Sequence, residues 1–360
     1  MSLLILGSRG DVHVQAVQWA LQGQGATVQV FDPAGFPSRR ALTLALGGAG
    51  ESLLDELLPG EGLDLRSVRA VWARRPFPAA DLSAVHPEDA SIVRHEADEV
   101  LTGLYNLLDV ALSEQAVWMN PLPSRLRARS KPAQLLLAQR CGLTVPGTLI
   151  SNDPERIRRF AQSQAGGLIF KAFRPLDWAV DAGRRSLPTT ALTPALLAQT
   201  QAMSLCPAIY QPELRKQFEL RVLVAGDHVR CVRIDSQADR LTATDWRLYA
   251  LGAAVPAQPH ELAPEDLARI RRFMQALGLR FGCLDFIVDA QGQLVFLEVN
   301  QQGQFLFMDY LCPGIGALEA VCQAFAQLLG VTPPAHWPGI QDYLGAVGDR
   351  TAMMAAAEPA

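Results

Sequence analysis

Apolar and polar positions alternate along the chain in a way that predicts short strands and intervening helices. "LLIL" (3–6) is a continuous apolar run closed by Gly7, and it reads as a first strand. "VQAVQWALQGQG" follows as a helix ending on glycine, and "TVQVFD" (27–32) reads as a second strand. This strand–helix–strand unit predicts a small α/β domain. A strand at 68–76, "VRAVWARRP", stops at Pro76, a charged helix covers about 88–107, and "AVWMNPLP" (116–123) is expected to be a strand closed by prolines.

Beyond these, Ser130 caps a helix through "KPAQLLLAQRCG", with Pro132 in its first turn and Gly142 at its end. "TLISND" is a strand, and Asp153 caps the next helix ahead of Pro154. Four segments are β-rich: 166–173, 207–214, 218–226 and 228–235, the last two forming a hairpin around Gly226–Asp227. The stretch 176–206 has no strong periodicity and is expected to be a loop. A helix at 264–277 precedes strands 281–288 and 293–299, joined by "DAQGQ" as a second hairpin. A last helix spans about 314–329, and the tail "TAMMAAAEPA" is expected to fray.

The candidate chemistry lies in the last hairpin. In "FLEVNQQGQF" (296–305), Glu298 and Asn300 are two residues apart, so a strand projects both from one face. A turn near Gln291–Gly292 places Asp285 opposite Glu298, bringing three oxygen ligands together. Mg²⁺ takes such hard donors, usually one or two carboxylates plus substrate phosphates. A solvated sheet edge explains Glu298 and Asn300 alone equally well; Asp285 and the nearby basic residues tip the balance. Lys171 interrupts an apolar β run between Phe170 and Phe173, and a buried lysine needs an anion. Lys131 opens a helix, where dipole and free N–H groups favour anions. Arg221 and Arg233 lie on the central hairpin, although each taken singly reads as an ordinary surface charge.

Composition narrows the classes. The 360 residues suggest two or three domains, and 49% hydrophobic residues allow a substantial core. A net charge of −4 gives no footprint for nucleic acid or an anionic membrane. The six cysteines show no CxxC or zinc spacing, and they read as small buried residues of a reducing compartment. With no run long enough to span a bilayer and no signal peptide, a soluble cytoplasmic protein is expected. His13, His86, His95, His228 and His260 form no metal-binding pair and are expected to be solvent-facing or capping. "GSRGDV" (7–12) resembles the opening of some lipid-directed glycosyltransferases, but it also reads as a tight turn with Asp11 capping the helix.

The order of Lys131, Lys171, "YQPEL" (210–214), Arg221 with Arg233, and Asp285…Glu298-Val-Asn300 resembles the ATP-grasp superfamily. Within it the chain looks most like the graspetide (microviridin-type) ribosomal-peptide maturases. The matching stretches are "WARRP" (72–76), 131–153, "FELRVLVAGDHVRCVRIDSQ" (218–237), "TDWR" (244–247) and 296–309, so the similarity spans nearly the whole chain.

The resemblance implies an α/β and α+β ATP-grasp fold with ATP and Mg²⁺ as cofactors. The implied division is a pre-ATP-grasp α/β domain at 1–124, a central lobe at 125–212, a C-terminal lobe with the metal site at 213–335, and a tail at 336–360. It implies activation of Asp or Glu side chains of a precursor peptide as acyl phosphates, attacked by Ser, Thr or Lys to close a macrocycle. On that basis Asp285, Glu298 and Asn300 hold the metal, while Lys131 and Lys171 hold phosphates. Gln211, Glu213 and Leu214 line the adenine. Glu219 takes a ribose hydroxyl or faces the substrate, and Arg221, Arg233 and Arg247 stabilise the acyl phosphate and its tetrahedral intermediate. Trp246, flanked by Asp245 and Arg247, is expected near a site. The resemblance also implies homodimers, as family members often are.

The chain departs from the family at three points: the strand before Ser236-Gln237 reads "CVRID", where relatives often carry an acidic residue near Arg233, which sets the role of Arg233 apart; Cys283 stands where some ligases have arginine; and no glycine-rich loop follows Lys171. The competing readings are an ATP-grasp ligase for a free amino acid or small carboxylate, and a non-catalytic nucleotide- or peptide-binding relative.

Overall fold

The computed structural model describes residues 1–44, 46, 58, 60–173, 177–180, 183–239 and 255–348. Trp246, Arg247 and the terminal "TAMMAAAEPA" lie outside the described residues.

The N-terminal part is a parallel sheet. Strand β1 (Ser2–Leu6) leads through Asp11 into helix α1 (Val12–Gln22), then to β2 (Thr27–Phe31) and β3 (Val68–Ala73); α2 (Ala90–Ala111) and β4 (Val117–Trp118) follow. The strand order is β2-β1-β3-β4. Asp11 caps α1 as expected, its carboxylate accepting from the His13 and Val14 amides. Gly7 is required by close approach: a Cβ there would stand 2.2 Å from the Arg74 carbonyl oxygen.

Prolines 121 and 123 do not close a strand. Only Val117 and Trp118 pair, and α3 (Leu122–Ala128) begins directly after Pro121. Proline lacks the amide that a strand needs but fits a helical first turn, where the amide has no partner anyway. Helix α4 (Lys131–Arg140) follows, capped by Ser130.

The middle of the chain builds a second sheet. It contains β5 (Leu149–Ser151), α5 (Pro154–Gln162) and β6 (Leu168–Lys171), then β7 (Asp177–Val180) paired with β8 (Gly183–Ser186), and β9 (Thr190–Ala191). Helices α6 (Pro194–Leu197) and α7 (Thr200–Leu205) precede β10 (Ala208–Pro212), and the sheet order is β5-β10-β6-β9. The expected loop at 176–206 is thus a chain of small elements. None is long enough for a hydrophobic period to register.

The third sheet is antiparallel. Strands β11 (Lys216–Ala225), β12 (His228–Ile234) and β13 (Ala257–Pro259) precede helix α8 (Pro264–Leu277) and strands β14 (Phe281–Asp289) and β15 (Leu294–Asn300), in the order β13-β12-β11-β14-β15. Helices α9 (Leu306–Leu311), α10 (Ala317–Leu329) and α11 (Ile340–Val347) complete the described chain. Trp337, Ile340 and Tyr343 are buried, so the expected tail at 336–360 is packed as far as α11.

Alternation along β11 and β14 splits the third sheet into two faces. Leu220, Val222, Leu284 and Phe286 pack with Phe273 and Leu277 of α8. Leu223, Ala225, Phe281 and Cys283 face the other way, against Val321 and Phe325 of α10. That second core also includes Leu3 and Ile5 of β1 and Val14 and Val17 of α1, so the first and third sheets share one hydrophobic interior.

Candidate active site

The second face of the third sheet changes character towards one end. In register, Val232, Arg221, Asp285 and Glu298 form one row across β12, β11, β14 and β15. The neighbouring row sets Asn300 opposite Cys283. Cross-strand partners share a face, so Arg221, Asp285, Glu298 and Asn300 stand together, as the hairpin argument expected. A bulge between Asp285 and Phe286 re-aims β15 at this point.

Each carboxylate in the row already holds a cation. Arg221 Nη1 donates to Asp285 Oδ1 at 2.7 Å, and Lys131 Nζ lies 2.8 Å from Glu298 Oε2. Burial pulls the Arg221 pKa down, but Asp285 and Glu298 outweigh it and raise the value. Lys131 reaches Glu298 because α4 packs on edge strand β15 and Ser130 starts that helix at this end.

A second pair lies alongside. Lys216 Nζ meets Glu219 Oε1 at 2.6 Å, with both side chains more than nine-tenths buried. Residues three apart on a regular strand face opposite ways. A bulge between Lys216 and Phe218 reverses the alternation and brings the two together. Burial raises the Glu219 pKa, while Lys216 and a hydrogen bond to Ser236 act against that rise. Lys216 was not among the expected site residues, and only the bulge, invisible in the sequence, reveals it.

Arg233 is not brought to this cluster. It is the cross-strand partner of Leu220, so it projects from the α8 face. There its guanidinium sits 4.0 Å from the Phe218 ring centroid and donates to Asp235 Oδ1 at 2.7 Å. One residue of offset on a strand decides the face, which separates Arg233 from Arg221.

The second sheet carries the remaining expected residues. Leu168, Ala208 and Tyr210 pack with Ile157 of α5 and Met203 of α7. Lys171 pairs with Ile209, and Ile169 with Gln211, so Lys171 and Gln211 share the opposite face. Gln211 is buried and donates to Thr148 Oγ1 at 2.9 Å. Glu213, just past β10, is exposed and its amide donates to Gly167 O at 3.1 Å; Leu214 beside it is half-buried.

Segment 299–305, which continues from the acidic row, is held from several sides. Gln134 makes a two-way bond to the Val299 backbone at 2.8 and 3.0 Å, and Asn120 Nδ2 donates to Gln301 O at 3.0 Å. Arg125 Nε donates to Gln301 Oε1 at 3.2 Å, Arg221 Nη2 to Gln304 O at 3.1 Å, and Arg74 Nη1 to Gln302 O. His13 is neither solvent-facing nor a cap. It is buried, and its Nε2 accepts from the Phe305 amide at 3.2 Å. That bond requires the proton on Nδ1, which faces Asp11 Oδ1 at 3.2 Å. Gly303 answers to close packing: a Cβ there would lie 2.5 Å from Cys283 Cβ.

Two opposed carboxylates and one amide oxygen suit a divalent ion that also binds phosphate, and two ammonium or guanidinium groups already mark where positive charge settles. Among the described residues no three His, Cys, Asp or Glu side chains group as a metal site, and no helix is long and apolar enough to cross a membrane.

The fold is that of the ATP-grasp ligases. Within that class the chain is similar to peptide macrocyclases. The macrocyclase MdnC of Microcystis aeruginosa MRC, bound with precursor peptide MdnA, is 26% identical with a TM-score of 0.75, over 91% of this chain and 100% of that one. A ribosomal-peptide-associated ATP-grasp ligase of Chryseobacterium gregarium, in complex with ADP and a leader and core peptide, shares the fold at 21% identity and a TM-score of 0.79, over 92% of this chain and 98% of that one. The ATP-grasp ligase PsnB, complexed with minimal precursor, Mg and ADP, does so at 24% identity and a TM-score of 0.71, covering 91% and 97%. No family model and no curated protein matches the chain.

Proposed function

We propose that this protein is an ADP-forming ligase that joins Asp or Glu side chains of a precursor peptide to its Ser, Thr or Lys side chains, as macrocyclic esters or amides. The observation that carries the reading is the row Arg221–Asp285–Glu298, with Asn300 one position along and Lys131 on Glu298. Support for a peptide substrate is the likeness to MdnC over the whole of that enzyme's length.

In this reading a substrate carboxylate attacks the γ-phosphorus of ATP, the bond to the β-phosphate oxygen breaks, and ADP leaves. A hydroxyl or amine then attacks the acyl carbonyl, loses its proton, and expels phosphate, giving an ester or amide with net loss of water from the peptide. Asp285, Glu298 and Asn300 would hold Mg²⁺, which supplies charge stabilisation for the phosphoryl group. Lys131 and Lys171 bind phosphate oxygens, and Gln211 with the Glu213–Leu214 backbone borders the base. Glu219 keeps Lys216 oriented into the site. Arg221, anchored by Asp285, presents positive charge to the acyl phosphate. Arg233 is left out, being on the far face. A role for Arg247 remains part of the proposal. The division at 1–124, 125–212 and 213–335 puts Lys171 and Gln211 on one lobe and the acidic row on the next, with nucleotide between.

The test is mass spectrometry of a Thr/Ser- and Asp/Glu-rich peptide co-expressed with the enzyme. The expected result is loss of one water per bond, abolished in Glu298→Gln. An unchanged peptide, together with ADP release driven by free amino acids, overturns the peptide reading in favour of a small-molecule ligase.

A further inference from the structure

The N-terminal sheet contributes one side chain that does more than pack. Arg74, directly after β3, is fully buried, and its charge is matched by Asp11, whose Oδ2 lies 3.2 Å from Nε. Its Nη1 crosses to the other half of the molecule and donates to the Gln302 carbonyl, with Gly303 O a further 3.4 Å contact. The amide on the opposite side of that same residue, Gln302 N–H, donates to Asn300 Oδ1 at 2.9 Å. Arg74 therefore fixes Gln302, and Gln302 fixes the oxygen of Asn300. A carbonyl oxygen has two lone pairs; one is taken by this bond, and the direction of the other is set by it.

We propose that Arg74 is a positioning residue for divalent-metal binding, aiming Asn300 Oδ1 through Gln302, whose carbonyl it holds and whose N–H meets Asn300. The inference rests on the reading of Asn300 as a metal ligand. The surroundings of Arg74 make the geometry stiff. Gly7 lets the Arg74 backbone lie against β1, and Asp11 is itself held by the α1 amides. Asp11 lies between the two buried groups, facing Arg74 Nε through Oδ2 and His13 Nδ1 through Oδ1, each at 3.2 Å, while His13 Nε2 holds Phe305. A guanidinium can meet Asp11 and a carbonyl at once through its fork; an ammonium is a single point.

The experiment measures ADP affinity by calorimetry in Mn²⁺ and in EDTA, with bound Mn²⁺ counted by electron paramagnetic resonance, for wild type and Arg74→Lys. The expected result is a roughly 10–100-fold loss of Mn²⁺-dependent ADP affinity, the size typical of removing an outer-shell partner, with metal-free ADP affinity unchanged. General loosening of the fold would lower both. Should Arg74→Lys fail to fold, Gln302→Pro deletes the N–H on Asn300 yet keeps the carbonyl that Arg74 grips, and is expected to give the same split. Wild-type Mn²⁺·ADP affinity in the variants overturns this inference alone. Wild-type protein that takes up no Mn²⁺·ADP overturns the reading of the metal site and this inference with it.

Discussion

At the scale of single residues, the site is a set of pre-formed ion pairs. Lys131 occupies Glu298 at 2.8 Å, the place where a metal would bring its own charge. Ammonium and metal compete for that carboxylate, so Lys131→Met is expected to raise Mn²⁺ affinity in the absence of nucleotide and to weaken ATP binding, both read by calorimetry. Equal Mn²⁺ affinity in the two proteins would remove Lys131 from the site. His13 carries a pH dependence. Burial lowers its pKa from 6.5 to about 4, with the neighbouring Arg74 adding to the effect. The unfolded chain then binds the proton more readily than the folded one between these values. The stability contributed by neutral His13 is therefore complete above pH 6.5 and is lost as pH falls towards 4. His13→Gln, whose amide oxygen can accept from Phe305, is expected to show a flatter fall in Tm across that window than the wild type. Parallel curves would contradict a buried neutral imidazole. The placement of Asp285, Glu298 and Asn300 together on one sheet face was legible from E-x-N and one hairpin; the burial of His13 was not, because nothing local marks a lone histidine in a first helical turn as buried.

At the scale of elements, strand register does most of the sorting. Arg221 and Arg233 looked equivalent as two basic residues on adjacent strands, yet they project from opposite faces because Arg221 pairs with Val232 and Arg233 with Leu220. Lys216 shows the converse: a single bulge turns a residue that simple alternation would point away into a partner of Glu219. Gly303 illustrates a demand of packing rather than of backbone conformation. Its missing Cβ lets the segment after β15 lie on Cys283. Gly303→Ala should overpack this contact and cost about 1–3 kcal/mol in denaturant unfolding. It should also slow ADP formation, because the displaced segment starts at Asn300. A variant with wild-type stability would mean that the segment can lift away freely. Helices α4, capped by Ser130, and α8 over 264–277 were read closely from the sequence, since caps and first-turn prolines act locally. The small elements at 177–205 were missed, being shorter than any period can define.

At the scale of the whole molecule, the first and third sheets are one body. Leu3, Ile5 and Val17 share a core with Phe281, Phe305 and Phe325. A chain lacking residues 1–116 would expose that apolar interior and lose the side chains of His13 and Arg74 that grip 302–305. It is expected to show no cooperative thermal transition and to bind dyes specific for exposed apolar surface. A sharp transition in the truncated chain would show the two parts to be independent.

The sequence by itself determined the ATP-grasp order of residues, the hairpin that opposes Asp285 to Glu298, and most helix boundaries. These depend on neighbours within a few residues or on one strand turn. Only the tertiary structure decided which arginine faces the site, that Lys216 joins Glu219, and that Arg74 and His13 hold a segment more than two hundred residues away. Face, bulge and burial are properties of packing between distant segments, and a linear pattern carries no record of which segments meet.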